Sequence, residues 1–405
     1  MKKGWQTKQL GELAELRGRI GWRGLTAKEY TKSGPLFLSV HSLNYGDYVD
    51  FRDAFHISEE RYIESPEIVL KKDDVLICKD GAGIGKLGIV GELPDSTTIN
   101  SSLLLIRSRK DILPKFLYRC LTSPYFQDIV QSRLNGATTP HLYQRDITEF
   151  PIVLPPLPEQ QRIVGLLDEA FDGIATAKAN AEKNLQNARA LFESHLQSVF
   201  TQRGKGWVES RLDDVCDLIT CGVAKRPDYV ASGVPFLSAK NVKNGQIVWS
   251  GFQSVSEETH QALTKNNKPK LGDVLYTRVG SYGEAAIVDR EDDFSVFVSL
   301  TLIKTKPTLL NTFLKYYLNS SSIKQLASKS ISGSGVGNLN VGTVRQFPIQ
   351  LPSISEQRNI CGKLGALQEE IQRLESIYQQ KLAALAALKK SLLHQAFTGD
   401  RKSVV

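Results

Sequence analysis

The chain has 405 residues, of which 41% are hydrophobic and 23% charged. That balance belongs to an ordinary folded protein and excludes a disordered or fibrous one. No apolar run approaches the ~18–20 residues of a membrane span, and the formal net charge of +8 favours a polyanionic partner.

The start, Met1-Lys2-Lys3-Gly4-Trp5-Gln6, carries charge without an apolar core behind it. It does not read as a signal peptide, so a cytoplasmic protein is expected. The five cysteines include no Cys-x-x-Cys pair, which points to reduced thiols. The six scattered histidines suggest no zinc site.

In chain order, short strands are expected at 36–40, 68–70, 75–78, 88–90, 103–106 and 152–154. A helix is expected over 114–131, with Pro114 at its start and Phe116, Leu117, Cys120 and Leu121 on one face. Pro155-Pro156-Leu157-Pro158 then ends this first domain. One long helix follows, from Glu159 to about Phe200. The same order then returns: strands at 235–238, 274–277, 286–288, 296–303 and 349–351, a helix over 310–328, and a second long helix.

The return is a duplication. Phe150-Pro151-Ile152-Val153-Leu154-Pro155 reappears as Phe347-Pro348-Ile349-Gln350-Leu351-Pro352, a shift of 197 (347 minus 150). The shift carries Glu159-Gln160 onto Glu356-Gln357 and Val199-Phe200-Thr201 onto Ala396-Phe397-Thr398. Nearer the front it drifts: Gly34 matches Gly233, and Trp5 matches Trp207. Copies of about 200 residues exceed a solenoid unit and are domain-sized.

Both long helices carry a narrow seam. Ile163, Leu167, Ala170, Ile174, Ala177 and Ala181 step by 4-3-4-3-4, as do Ile360, Leu364, Leu367, Ile371, Leu374 and Tyr378. Both then take a second four-residue step, to Leu185 and to Leu382. A shared break suggests two helices packed along their length. Antiparallel pairing would give a pseudo-twofold internal repeat with the helices as a ruler. The expected fold is therefore α+β: globular domains over 1–155 and 204–352, with helical regions over 156–203 and 353–405.

No catalytic constellation is found. Asp80-Gly81-Ala82-Gly83-Ile84-Gly85-Lys86 looks like a phosphate loop, but a P-loop needs glycine where Asp80 stands and Ser or Thr where Leu87 stands. The second copy, Val279-Gly280-Ser281-Tyr282-Gly283-Glu284, has no lysine. Turns between strands are the better reading. There is no Gly-x-Ser-x-Gly elbow and no His-Glu-x-x-His. The chain reads as a binder.

Several motifs recur in a fixed order. Leu154-Pro155-Pro156-Leu157-Pro158-Glu159-Gln160-Gln161-Arg162-Ile163 opens the first long helix. Leu351-Pro352-Ser353-Ile354-Ser355-Glu356-Gln357 opens the second, and Leu392-Leu393-His394-Gln395-Ala396-Phe397-Thr398-Gly399 closes it. With Trp5-x4-Leu10-Gly11-Glu12 at the front, the ordered set resembles the DNA specificity subunit of type I restriction-modification systems over essentially the whole chain. The resemblance implies two target recognition domains, each reading half of a bipartite DNA site, and helices that set the spacer. It also implies docking of two methyltransferase subunits, which carry S-adenosylmethionine, and two restriction subunits. No cofactor is expected in this chain, which would itself be non-catalytic.

Candidate DNA-binding residues lie in the polar loop before the last strand of each domain. They are Thr138, Thr139, His141, Tyr143, Gln144 and Arg145, then Ser334, Asn338, Asn340 and Arg345. Asn and Gln suit adenine, and Arg suits guanine or phosphate. The glycine turns add Lys79 and Lys86, then Arg278, Ser281 and Tyr282; a third set is His41, Asn44, Lys240 and Asn241. The 135–142 and 332–339 loops match only loosely, so an asymmetric DNA site is expected. The competing reading is a coiled-coil scaffold that binds proteins without reading DNA, or an enzyme whose site leaves no sequence motif.

Overall fold

A computed structural model describes residues 4–19, 25–134, 141–202, 204–280, 282–331 and 337–398. The chain forms two compact units: Met1–Ala181 with Gln380–Val405, and Glu182–Gln379. The cuts fall at Ala181/Glu182 and Gln379/Gln380, inside the four-residue steps of the two seams. Each unit therefore combines one globular part with a stretch of both long helices.

In the first unit, β1 (Gln6–Gln9) leads through a single turn, α1 (Leu10–Leu13), into β2 (Ala14–Arg17). Next come β3 (Thr31–Leu38), β4 (Phe55–His56), α2 (Glu59–Ile63), β5 (Val75–Cys78), β6 (Leu87–Ile89), β7 (Thr97–Ile99) and β8 (Leu103–Ser108). The unit continues with α3 (Pro114–Leu121), α4 (Pro124–Leu134), α5 (Gln144–Thr148), β9 (Pro151–Leu154) and the long α6 (Leu157–Thr201). An antiparallel sheet β2-β8-β5-β6 and a smaller sheet β4-β3-β7 make the body, and β1 pairs with β9. β5 is apolar throughout, Val-Leu-Ile-Cys, because both its faces are covered. Val75 and Ile77 join the core beneath α3, while Leu76 and Cys78 join a second core beside Leu38 and Ile99.

The second unit repeats this plan with β10 (Val208–Arg211), α7 (Leu212–Val215), β11 (Cys216–Cys221), β12 (Val234–Leu237), β13 (Val242–Lys243), β14 (Gln246–Ile247) and β15 (Gln253–Val255). It continues with α8 (Glu257–Thr264), β16 (Val274–Thr277), β17 (Ala285–Ile287), β18 (Ser295–Val296) and β19 (Leu300–Thr305). It ends with α9 (Asn311–Asn319), α10 (Ser321–Lys329), α11 (Val341–Arg345), β20 (Pro348–Leu351) and the long α12 (Ile354–Thr398). The sheets β11-β19-β16-β17 and β15-β12-β18 match those of the first unit.

Three sequence expectations need correction. The helices over 114–131 and 310–328 are each two helices. A buried serine ends the first of each pair: Ser123 Oγ donates to Cys120 O at 2.6 Å, and Ser320 Oγ donates to Tyr317 O at 2.7 Å. Pro124 then starts α4 without needing an amide partner. The strand over 296–303 is β18 and β19 around a turn closed by Leu300 N donating to Phe297 O at 2.9 Å. No strand forms over 68–70, where Pro66–Ile68 is a 3-10 turn.

The long helices run antiparallel within each unit. In the first, Phe171 of α6 faces Lys389 of α12, and Ile163 shares a groove with Ala396. In the second, Arg189 Nε meets Glu375 Oε1 at 2.5 Å, and Leu196 clusters with Leu364. The seam residues Ile163, Leu167, Ala181, Leu364 and Ile371 are buried. So are Phe171, Leu196, Leu393 and Phe397, which lie off the strict heptad and pack on the globular parts.

Each helix is joined to its globular part by one fully buried glutamine. Gln160 Oε1 accepts from Leu113 N at 2.8 Å, and its Nε2 donates to Asp111 O at 3.0 Å and Pro155 O at 2.9 Å. Gln357 does the same with Leu310 N (2.8 Å), Thr308 O (2.9 Å) and Pro352 O (2.9 Å). A carboxamide supplies the donors and acceptor that these orphan backbone groups require. Gln160→Leu removes all three bonds while keeping the volume. Each buried group left unsatisfied costs about 1–3 kcal/mol, and three lose their partner, so the variant is expected to lose at least about 3 kcal/mol in urea unfolding. An unchanged midpoint would show that the helix start is held by other contacts.

Candidate nucleic-acid interface

In both units one edge is built from two loops tied together by backbone. The first is the turn between β5 and β6, which reverses through Gly81 (φ +76°) and Gly85 (φ +84°). Left-handed backbone of this kind favours glycine. Gly85 N donates to Cys78 O, and Cys78 N to Lys86 O, both at 2.9 Å. Between β16 and β17 the same closure uses Gly280 (φ +78°) and Gly283 (φ +88°), with Gly283 N donating to Thr277 O at 3.0 Å. The second loop lies before α5 or α11. It is fastened by Leu142 N donating to Lys79 O (2.9 Å) and by Leu339 N donating to Arg278 O (2.8 Å). The two edges share one backbone plan and differ in side chains.

In the first unit Asp80 is the hub. It bonds His141 Nδ1 and accepts from Lys79 Nζ at 2.8 Å. Burial opposes its charge, but the bonds from Lys79 and His141 outweigh it and hold the carboxyl below its ordinary range. The His141 ring packs edge-on against Tyr143, centroids 4.6 Å apart, and the Arg145 guanidinium lies 5.2 Å from the Tyr143 ring centre. Tyr143 is 53% exposed and the Arg145 side chain 78%. A ring and a guanidinium are thus presented to solvent on a rigid base. Gln144 Nε2 donates to Leu16 O at 3.1 Å, and exposed Lys86 donates to Asn44 Oδ1 at 2.6 Å. His41 is exposed.

In the second unit the corresponding groups turn inward. Arg278 is buried, and its guanidinium donates to Leu339 O (2.9 Å), Val298 O (2.9 Å) and Asn338 Oδ1 (3.0 Å). It holds the loop. Asn340 caps α11 by accepting from Gly342 N at 2.8 Å. Arg345 donates to Ile219 O at 2.7 Å, and the Tyr282 hydroxyl lies 3.4 Å from Ser328 Oγ. Asn241 is buried on Val248 O and Ser250 O, whereas Lys240 is exposed. Glu284 occupies the place of Lys86, a reversal of charge. Thr138, Thr139, Ser281 and Ser334 lie outside the described residues.

The structure brings Lys79, His141, Tyr143 and Arg145 together and keeps Lys86 on the same turn. Sequence reasoning missed Asp80, the group that organises them. Its partner His141 is 61 residues away, and no local spacing marks that pairing.

A family model described as the type I restriction modification DNA specificity domain matches residues 2–186 and 204–382. A curated relative, the type I restriction enzyme EcoBI specificity subunit of Escherichia coli, is 23% identical over 75% of this chain and 69% of its own length. The MjaVIII specificity subunit of Methanocaldococcus jannaschii is 23% identical over 83% and 81%. The HsdS subunit from Thermoanaerobacter tengcongensis has a similar fold, with a TM-score of 0.60 at 20% identity over 99% of this chain and 98% of that one. A chain from a study of complex assembly in the type I R-M system has a TM-score of 0.80, also at 20% identity, over 99% of each. The doubled match, covering both globular parts and most of both helices, shows that this chain belongs to the type I restriction modification DNA specificity family.

Proposed function

We propose that this DNA specificity subunit reads an asymmetric, bipartite duplex site, one half with each globular part, across a spacer set by α6 and α12. The observation that carries the reading is the pair of edges with one backbone plan and different side chains. A shared plan supports one job for both edges, and unlike side chains support different targets. The first edge offers Arg145 and Tyr143, with Lys86 beside them, for base edges and phosphates. The second offers Asn338, Asn340 and Lys240, and its arginine at 278 serves as scaffold.

In this reading the chain is non-catalytic and cytoplasmic. It docks two methyltransferase subunits, which bind S-adenosylmethionine, and two restriction subunits. Its chemical contribution is orientation: the buried glutamines fix each helix to its reader.

The direct test is methylome sequencing of cells expressing this chain with its cognate methyltransferase subunit, against the methyltransferase alone. A new split motif methylated on both strands is expected; an assembled complex that adds no motif would defeat the reading. Arg145→Ala is expected to weaken duplex binding by about tenfold, the loss of one good base or phosphate contact, and to alter the first half-site alone. Changes confined to the second half-site would reverse the assignment of the edges. Four extra residues in both helices, after Ala181 and after Tyr378, add about 6 Å of helix. Sequencing should show the spacer longer by roughly two base pairs and both half-sites unchanged; altered half-sites at a fixed spacing would refute the ruler.

A further inference from the structure

The two units fill the wedge between helix and globular part differently. In the first unit Arg119, 9% exposed, links two carboxylates. Its Nη1 meets Asp47 Oδ2 at 2.5 Å, and its Nη2 meets Asp168 Oδ1 of α6 at 2.8 Å. Lys115 adds a bond to Asp168 at 3.3 Å, and the Tyr118 hydroxyl donates to Asp47 at 3.1 Å. Burial disfavours the Asp47 charge, but Arg119 outweighs it and holds that carboxyl below its ordinary range. The wedge is filled and internally neutralised.

The second unit lacks both acids. The 197-residue shift places Gly365 where Asp168 stands, Lys315 at Tyr118 and Tyr316 at Arg119. The turn glycines Gly46 (φ +119°) and Gly245 (φ +73°) align Asp47 with Gln246. A cation remains, one residue earlier, and its carboxylates are gone. At Gln246, the place of Asp47, is a cleft of about 570 Å³ whose walls also include Lys315, Tyr316, Gln368, Arg189 and Glu375.

Lys315 is half-buried, with its ammonium 4.6 Å from the Tyr316 ring centre. Among the described residues no carboxylate lies within ion-pair distance of it. Burial pushes its pKa down, the sign of a charge short of compensation. The other bases of the cleft are already engaged, Arg189 with Glu375 and Lys324 with Glu284. Tyr316 is occupied with Gln368 at 3.0 Å.

We propose that this cleft receives an aspartate or glutamate side chain of the methyltransferase subunit, with the Lys315 ammonium as its counter-ion. The partner supplies from outside what Asp47 and Asp168 supply within the first unit. A DNA phosphate fits less well. Three bases and three acids (Glu193, Glu284 and Glu375) line the cleft, so it presents no net positive field to a polyanion, whereas a single carboxylate pairs locally.

The proposal rests on the reading that this chain assembles with methyltransferase subunits, and the test separates the two. The probe is the cognate methyltransferase subunit, titrated against the full-length chain at fixed salt, with duplex DNA binding by the chain alone measured in parallel. Lys315→Met is expected to weaken methyltransferase binding at least about tenfold and leave DNA binding unchanged. Gly365→Asp restores the carboxylate that the first unit has. A Cβ there would meet only the Tyr316 hydroxyl, at 3.8 Å. That variant is expected to raise the thermal midpoint while also weakening the partner, because the new carboxylate, next to Tyr316, competes for the Lys315 ammonium.

Wild-type affinity in both variants overturns the proposal and leaves the assembly reading standing. A loss of DNA affinity in Lys315→Met with partner binding intact assigns the cleft to nucleic acid and overturns it too. Failure of the wild-type chain to bind the methyltransferase subunit defeats the assembly reading and the proposal together.

Discussion

Two buried carboxamides carry the architecture. A helix that starts straight after a globular domain has unpaired amides of its own, and the domain has carbonyls left over where its chain turns. Gln160 and Gln357, in the first turn of α6 and α12, bond across to the globular part: each accepts from the amide that caps α3 or α9 and donates to carbonyls of the loop before that helix and of the proline segment before the long helix. Three bonds from one planar group fix direction as well as position. A seam of apolar residues alone would leave the helix free to slide or rotate, because hydrophobic burial is non-directional. Every distance that the helices set depends on that start being rigid.

The duplication explains which features stayed and which changed. Backbone ties recur in both copies: the glycine closures, the loop fastenings at Lys79 and Arg278, and the glutamine joints. Apart from the two glutamines, they are made between peptide groups, so they place few demands on side chains. What those ties hold is free to diverge. The exposed Arg145–Tyr143 pair has no like-placed counterpart, Lys86 has become Glu284, and the Asp47–Arg119–Asp168 network has become an open cleft. A scaffold that relies on main-chain bonds can change its reading surface without losing its fold.

Much of this was legible in the sequence and some was not, for physical reasons. The repeat, the proline stops and the heptad steps show because they are local and periodic. β5, an unbroken Val-Leu-Ile-Cys run, shows because it is covered on both sides. The split of α3 from α4 was missed because the 3.6-residue pattern runs on across Ser123, and the break depends on a serine bonding back to Cys120 O. Among the site residues, exposure separated groups that look alike in the sequence. Arg145 and Arg278 are equally reasonable DNA contacts by type, yet one faces solvent and the other is consumed by three internal acceptors. Asp80 was invisible because its meaning comes from His141, brought to it only by the fold.

The same contrast bears on specificity. An arginine on an exposed, pre-fixed edge retains its donors for a ligand and loses little freedom in using them. An arginine that has already paired its donors contributes rigidity, which positions neighbours such as Asn338 but makes no contact of its own. The two halves of the chain therefore divide the work between reader and brace at different residues. An alignment of one copy on the other transfers the fold faithfully and the contacts poorly. For the proposed reading of two unlike half-sites, that separation is the useful property: the frame is inherited by repetition, and the side chains it carries differ from one edge to the other.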